Sequence, residues 1–193
     1  GTNNGRMVAI NNDGTERWSY ATGGAIKTFP TVLTSGATYV FFANDAGNVY
    51  KLQDNDGSVS LVAGWPRAIG GEFDSALSFS NDLNTLYIGA ADGKVYKINA
   101  TNGANATGWT QDPAISGAFS GTPYLDDFTS GVNALWIGSQ GGTMYRQQSA
   151  DGTVNTSTGT TGAIIRTTPN LDAGLTNDGA NTHVLYWGAD DGV

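Results

Sequence analysis

Apolar residues along this chain come in short runs separated by polar stretches that contain glycine, and one combination of the two recurs. An apolar run leads into a glycine turn, and a second run follows in which apolar and polar residues alternate. The phrase reads Tyr39-Val-Phe-Phe-Ala-Asn-Asp-Ala-Gly47-Asn-Val-Tyr50-Lys-Leu52. It returns as Leu86-Tyr-Ile-Gly-Ala-Ala-Asp-Gly93-Lys-Val-Tyr96-Lys-Ile98 and as Leu135-Trp-Ile-Gly-Ser-Gln-Gly-Gly142-Thr-Met-Tyr145-Arg. Its second half stands at the start of the chain as Gly5-Arg-Met-Val-Ala-Ile10. Its first half stands at the end as Leu185-Tyr-Trp-Gly-Ala-Asp-Asp-Gly192-Val193. The turn glycines 5, 47, 93, 142 and 192 follow one another at intervals of 42 to 50 residues. Matching flanks on five in-register occurrences define a tandem repeat.

Other parts of the repeat also match. A second turn carries Gly14, Gly57, Gly103 and Gly152. Trp18, Trp65 and Trp109 come after it in three copies, and the fourth has Ser and Thr around residues 156–161. Next comes a loop seen as Gly24-Ala-Ile-Lys-Thr-Phe-Pro30, Gly71-Glu-Phe-Asp-Ser-Ala-Leu77, Gly117-Ala-Phe-Ser-Gly-Thr-Pro123 and Gly162-Ala-Ile-Ile-Arg-Thr-Thr-Pro169. The runs are rich in β-branched and aromatic residues, and glycine supplies the positive φ that tight hairpins need. No segment has a helical period.

Four strands per repeat are predicted. Strand a covers 28–34, 75–80, 121–126 and 167–172; strand b covers 38–44, 85–91, 134–139 and 183–189. Strand c covers 5–11, 48–53, 94–99 and 143–148; strand d covers 16–21, 63–69, 108–115 and 153–159. Such a unit cannot bury its faces alone, so neighbouring units must stack. The expected fold is all-β: a β-propeller of four-stranded antiparallel blades with about four repeats, and residues 1–193 form one propeller domain or a propeller fragment. Joining the two ends would complete a mixed blade and a four-bladed ring, at the small end of the range. The break inside a repeat phrase at Asp191-Gly192-Val193 points instead to a longer array of seven or eight blades.

Ala91-Asp92-Gly93-Lys94-Val95-Tyr96-Lys97-Ile98, through Gly103 to Trp109, resembles the repeat of the pyrroloquinoline-quinone-like β-propellers. Gly5 to Ile10, through Gly14 to Trp18, resembles it too. That resemblance implies that Trp18, Trp65 and Trp109 dock one blade against the next. Gly64-Trp65-Pro66 with Ser75-Ala76-Leu77 resembles bacterial surface propellers of the FG-GAP type, whose a–b loops bind calcium. The corresponding stretches here, 80–85 and 126–133, lack the alternating carboxylates of a calcium cage. Asp54-Asn55-Asp56-Gly57 has the spacing, but it falls at the c–d turn and reads as a plain turn. Quinone enzymes of this fold imply a larger ring, a calcium ion and, in many, a vicinal disulfide. A chain without Cys makes a quinone cofactor an unfavoured expectation.

Composition narrows the functions. The net charge is −8, and the nine Lys and Arg form no basic stripe, which argues against nucleic acid and anionic membrane surfaces. No apolar run is long enough to insert in a membrane. Only Glu16 and Glu72 are glutamates, and charged residues make up 13% of the chain. A surface so rich in neutral polar residues suits an extracellular, cell-surface or periplasmic protein. The start, Gly1 to Gly5, is not a signal peptide.

Catalytic candidates are few. His183, the single His, begins a b strand and reads as structural. Asp126-Asp127 and Asp190-Asp191 read as turn residues, because neighbouring strand side chains point to opposite faces and cannot form a dyad. No catalytic residue, metal site or cofactor is therefore expected. Candidate binding residues are the variable positions of the propeller-face loops. They are Lys27, Asp74, Ser120 and Arg166 in the d–a loops and Asp45, Asp92, Gln140 and Asp190 in the b–c loops. The expected function is a non-enzymatic binding or scaffold module that contacts protein or glycan, with self-association open to it. The alternatives are a fragment of a quinone-dependent dehydrogenase or other propeller enzyme, and a structural subunit of an extracellular assembly.

Overall fold

The computed structural model describes residues 1–110, 115, 117–129, 132–172 and 184–191, with the backbone only for 127–129, 132–133, 155–160 and 171–172. Within these residues every regular element is a strand. β1 (Arg6–Ile10) pairs with β2 (Glu16–Ala21) in a first two-stranded sheet. The second sheet runs β3 (Thr31–Ser35), β4 (Ala37–Ala43), β5 (Asn48–Asp54), β6 (Val59–Leu61), with β7 (Arg67–Ala68) also on β5. In the third, β8 (Ser78–Phe79), β9 (Thr85–Gly89) and β10 (Val95–Asn99) are neighbours in that order. The fourth is β11 (Tyr124–Thr129), β12 (Val132–Gly138), β13 (Thr143–Gln148) and β14 (Val154–Thr160), and a last pair joins β15 (Asn170–Asp172) to β16 (Val184–Tyr186). All pairings are antiparallel between chain neighbours, apart from β7 on β5. A half-blade, three blades and a half-blade make the four repeats of a β-propeller.

The core lies between the sheets. Because strand side chains alternate sides, each blade shows one set of apolar residues to the blade before it and another to the blade after. Met7 and Trp18 of the first sheet cluster with Val40, Phe42 and Leu52 of the second. On its other side the second sheet presents Phe41, Val49 and Trp65 to Leu86, Ile88 and Ile98 of the third. The third turns Tyr87 and Val95, with Trp109 beside them, toward Phe119, Leu135 and Ile137 of the fourth. Phe41, Phe42, Leu52, Ile88, Ile98 and Ile137 are wholly buried. Trp109 also donates its indole N–H to the Val95 carbonyl at 2.9 Å.

Strands b and c, and strand d of the first and fourth sheets, lie close to where the sequence places them; strand a, and strand d of the second and third, depart from it. Strand a begins three residues late in each complete blade. Thr28 replaces ladder pairing: its Oγ1 accepts from the Ala43 N–H at 3.1 Å and donates to the Ala43 carbonyl at 3.0 Å. Thr167 makes the same pair of bonds to Gly188, and Ser75 Oγ donates to the Gly89 carbonyl. Prolines at 30, 123 and 169 then withhold an N–H just before the strand. Strand d of the second blade is not continuous over 63–69. Its ladder runs over Val59–Leu61, breaks at Gly64 (φ 85°) and Pro66, and resumes at Arg67–Ala68. In the third blade, residues 108–110 form no strand, and the fourth contact with β10 is the bridge from Ile98 to Asn105; residues 111–114 lie outside the described set. Asp126 is not a turn residue but a buried member of β11, and Asp127 follows it in the same strand. His183 and Gly192 lie outside the described residues.

Candidate functional site

The d–a and b–c loops meet on one face of the propeller through a backbone ladder. Each b–c turn donates an N–H to the loop that enters its own blade: Asp45 to Ala25, Ala91 to Glu72, Gln140 to Ala118 and Asp190 to Ile164. The residue after each of those acceptors belongs to the buried series Ile26, Phe73, Phe119 and Ile165. Three of these donate back to the preceding blade: Ile26 to Thr2, Phe119 to Ala90 and Ile165 to Ser139. The turn glycines make this close approach possible. A Cβ on Gly5 would lie 2.7 Å from the Gly24 carbonyl oxygen, and one on Gly142 would lie 2.8 Å from that of Ala163.

This ladder gives the next position in each d–a loop a fixed footing, and Lys27, Asp74, Ser120 and Arg166 occupy it. Lys27 Nζ sits 2.8 Å from Asp45 and 3.7 Å from Asp74, so it joins two blades. Its pKa is raised, first by the hydrogen bond to Asp45 and then by the charges of Asp45, Asp74 and Glu72. Arg166 Nε donates to Asp190 at 2.9 Å, repeating the Lys27–Asp45 pairing three blades on. Ser120 and Gln140 are the neutral pair of the fourth blade. The ladder also corrects one correspondence. Asp45, Ala91, Gln140 and Asp190 are equivalent, and Asp92 stands one residue later. There Asp92 accepts from the Tyr96 hydroxyl at 2.7 Å and from the Lys94 N–H at 3.0 Å, with Lys94 Nζ 3.6 Å away. Burial, with that bond to Asp92, pushes the Tyr96 phenol well above its ordinary value.

Asp45 Oδ1, Asp74 Oδ1 and Ser120 Oγ are enclosed and make no hydrogen bond, and Asp74 Oδ1 is the oxygen that faces the Lys27 ammonium at 3.7 Å. Glu72, Asp74 and Asp92 give the third blade a negative excess over Lys94.

The opposite face carries a feature that the sequence reading missed. Two cavities lie between consecutive blades near the a–b and c–d turns. One of about 420 Å³ is lined by Asp82, Tyr87, Lys97 and Ser149, and one of about 300 Å³ by Tyr39, Lys51, Asp82 and Ala100. Lys51 and Lys97 are repeat equivalents. Each reaches from strand c to a c–d turn carbonyl of the next blade, Lys51 to Ala100 at 3.0 Å and Lys97 to Ser149 at 2.7 Å. Each lies over aromatic rings, Tyr39 and Phe41 for Lys51, Tyr87 and Trp109 for Lys97. Burial lowers both pKa values. The signal available in sequence was the basic residue after each repeat tyrosine: Lys51, Lys97, Arg146.

Between the first and second blades the same link is made differently. Arg17 donates through Nε to Asp54 at 3.0 Å and through Nη2 to Asp56 at 2.9 Å. The Asp-x-Asp-Gly stretch, whose spacing suits calcium, thus has its carboxylates on a guanidinium. Among the described residues no three His, Cys, Asp or Glu side chains are gathered as metal ligands, and no helix is long and apolar enough to cross a membrane.

No protein-family model and no curated protein sequence matches the chain. Solved structures do. BamB from Moraxella catarrhalis superposes with a TM-score of 0.66 at 13% identity, over 97% of this chain and 50% of that one. Sqt1 from Saccharomyces cerevisiae gives 0.75 at 12% identity, over 99% of this chain and 52% of that one. The protein BBS1N, crystallised in complex with ARL6DN, gives 0.60 at 13%, over 86% and 50%. At these identities the likeness is one of fold, and the chain is a β-propeller protein. It spans about half the length of each of these relatives.

Proposed function

We propose that this chain is a non-enzymatic binding or scaffold module that contacts a partner protein through its d–a and b–c loop face. The observation that carries the reading is the rigid backbone ladder, which gives the variable positions Lys27, Asp74, Ser120 and Arg166 a fixed footing on one face, together with the negative excess that Glu72, Asp74 and Asp92 leave over Lys94 in the third blade. A partner that presents Lys or Arg side chains would offset that excess. Among the fold relatives, BBS1N was crystallised in complex with another protein. The neutral polar composition fits a place outside the cytoplasm.

An NMR titration of the chain with short basic, acidic and neutral peptides tests this. Basic peptides are expected to shift amides in segments 24–28, 44–47 and 71–75, and the Asp45→Asn/Asp74→Asn double variant to lose the response. Equal response to acidic peptides, or shifts confined to the opposite face, would refute the reading.

A further inference from the structure

We infer that the cavity of about 420 Å³ between the third and fourth sheets binds a small zwitterion of the amino-acid class, its carboxylate against the Lys97 ammonium and its ammonium against the Asp82 carboxylate. The cavity lies on the face away from the d–a and b–c loops, so the inference stands or falls separately from the proposed function.

Lys97 and Asp82 line this cavity together, Lys97 from β10 and Asp82 from the a–b turn of the same sheet. Their charges do not meet. Among the described residues no ion pair joins Lys97 to any carboxylate. Yet each lies within electrostatic reach of the other. Burial lowers the Lys97 pKa, and the charges of Asp151 and Asp82 offset part of that. Asp151 is not in the cavity wall, and one of its oxygens already holds the Thr153 N–H and hydroxyl. Asp82 is thus the anion that shares the cavity with Lys97. A cation and an anion that face one space without touching are complemented by a molecule carrying both charges.

Each group is held by bonds of its own and keeps capacity for another. Lys97 Nζ donates to the Ser149 carbonyl at 2.7 Å and to the Ala150 carbonyl at 3.4 Å, and an ammonium has a third N–H. Asp82 Oδ1 accepts from Ser80 Oγ at 2.5 Å and from the Asn84 N–H at 3.0 Å, and Oδ2 accepts from Asn84 Nδ2 at 3.1 Å. A carboxylate has about four acceptor sites. Those bonds, that of Ser80 first, hold the Asp82 pKa below its ordinary 3.8, so it is an anion at neutral pH. Leu125 and Ala150 add an apolar stretch of wall for an aliphatic side chain. The volume falls in the lower part of the range of small-molecule sites, ~300–1,000 Å³.

The neighbouring cavity of about 300 Å³ shows what the assignment depends on. Lys51 and Asp82 both line it. There burial alone shifts the Lys51 pKa, and no carboxylate acts on that ammonium. The facing pair of charges belongs to the larger cavity.

An NMR titration of the chain with leucine, N-acetyl-leucine and leucine amide tests this. Leucine up to ~10 mM is expected to shift the amides of 80–85, Lys97, Leu125 and 149–150 saturably, with a Kd of about 1 mM or tighter. N-acetyl-leucine lacks the ammonium and leucine amide lacks the carboxylate. Each should bind at least about tenfold more weakly, the loss of one hydrogen bond between charged groups. Asp82→Asn removes the anion and keeps an acceptor for the turn, so leucine and N-acetyl-leucine should bind that variant equally. Because Lys97 also links two blades, its part is read from leucine amide in the wild-type chain. No saturable shift with leucine, equal binding of the three ligands by the wild type, or an unchanged preference in Asp82→Asn would overturn the inference. So would glucose shifting the same amides as strongly, since the cavity would then select hydroxyls rather than paired charges.

Discussion

Lys51 donates from its buried ammonium to the carbonyl oxygen of Ala100, 3.0 Å away across a blade boundary, and Lys97 makes the same bond to Ser149 one blade later. A charged amine is an unusual link between two apolar sheets. It works because the stem lies along aromatic rings while the head meets a turn carbonyl that no strand partner uses.

Replacing Lys51 by Met removes the bond and leaves the Ala100 carbonyl facing apolar atoms. The cost is expected to be about 1–3 kcal/mol in urea unfolding at neutral pH. The difference should depend on pH. Burial holds the folded-state pKa of Lys51 below the ordinary 10.5. The native state therefore binds this proton less tightly than the unfolded chain does, and wild-type stability gains on Lys51→Met as pH rises through the window from the lowered value to 10.5. A difference that is flat with pH, or that shrinks, would contradict the assignment.

Gln147 occupies the position of Leu52 and Ile98, is wholly buried, and has neither its amide oxygen nor its nitrogen hydrogen-bonded. Restoring the repeat residue with Gln147→Leu should stabilise the chain by about 1–2 kcal/mol, since an unsatisfied buried amide is exchanged for an apolar side chain of similar length. A rise in the urea midpoint at unchanged slope would show this.

Thr28→Val keeps the shape of the side chain and deletes its hydroxyl. Both polar groups of Ala43 would then be buried without their partner, and a loss of roughly 2–3 kcal/mol is expected. Thr28→Ser should recover most of it. Amide exchange at Ala43 should quicken in the valine variant and stay slow in the serine variant.

The Arg17 link makes its own prediction. Hydrogen bonding to Arg17 is the main cause that holds Asp54 below the ordinary carboxyl value of 3.8. Its contribution is fully present above that value and is lost as pH falls through the lowered one. Arg17→Ala should flatten the acid limb of the stability curve, and the effect should fade in about 1 M salt, where charges are screened within a few ångströms. Because Arg17 already holds Asp54 and Asp56, added calcium should leave the thermal midpoint of the wild type unchanged.

The residues that were legible in sequence are those whose role is set by their immediate neighbours. Gly5, Gly47, Gly93 and Gly142 have φ between 77° and 81°, as the hairpin pattern requires. Strands b and c followed from alternation, because each is buried on both sides by adjacent blades. Strand d of the second blade was misplaced because its ladder depends on Val59–Leu61 meeting β5, while the apolar run at 62–69 looked more strand-like than it is. Strand a was set too early because Thr28 and Thr167 bond sideways to the b strand, and nothing in local periodicity distinguishes a ladder bond from a hydroxyl bond. The loop-face positions Lys27 and Asp45 could be chosen from the repeat, but their ion pair could not, since they lie 18 residues apart and meet only through the backbone ladder.

By itself the sequence determined the unit: four short strands, the glycines at their turns and the order in which the units follow. These are local matters of side-chain alternation and of backbone angles that only glycine adopts readily. Tertiary structure alone decided what lies between the units. Whether Lys51, Arg17 or Gln147 sits at a blade boundary and which carboxylates are satisfied both depend on atoms from the next blade, and a repeat pattern carries no record of the distances across that gap.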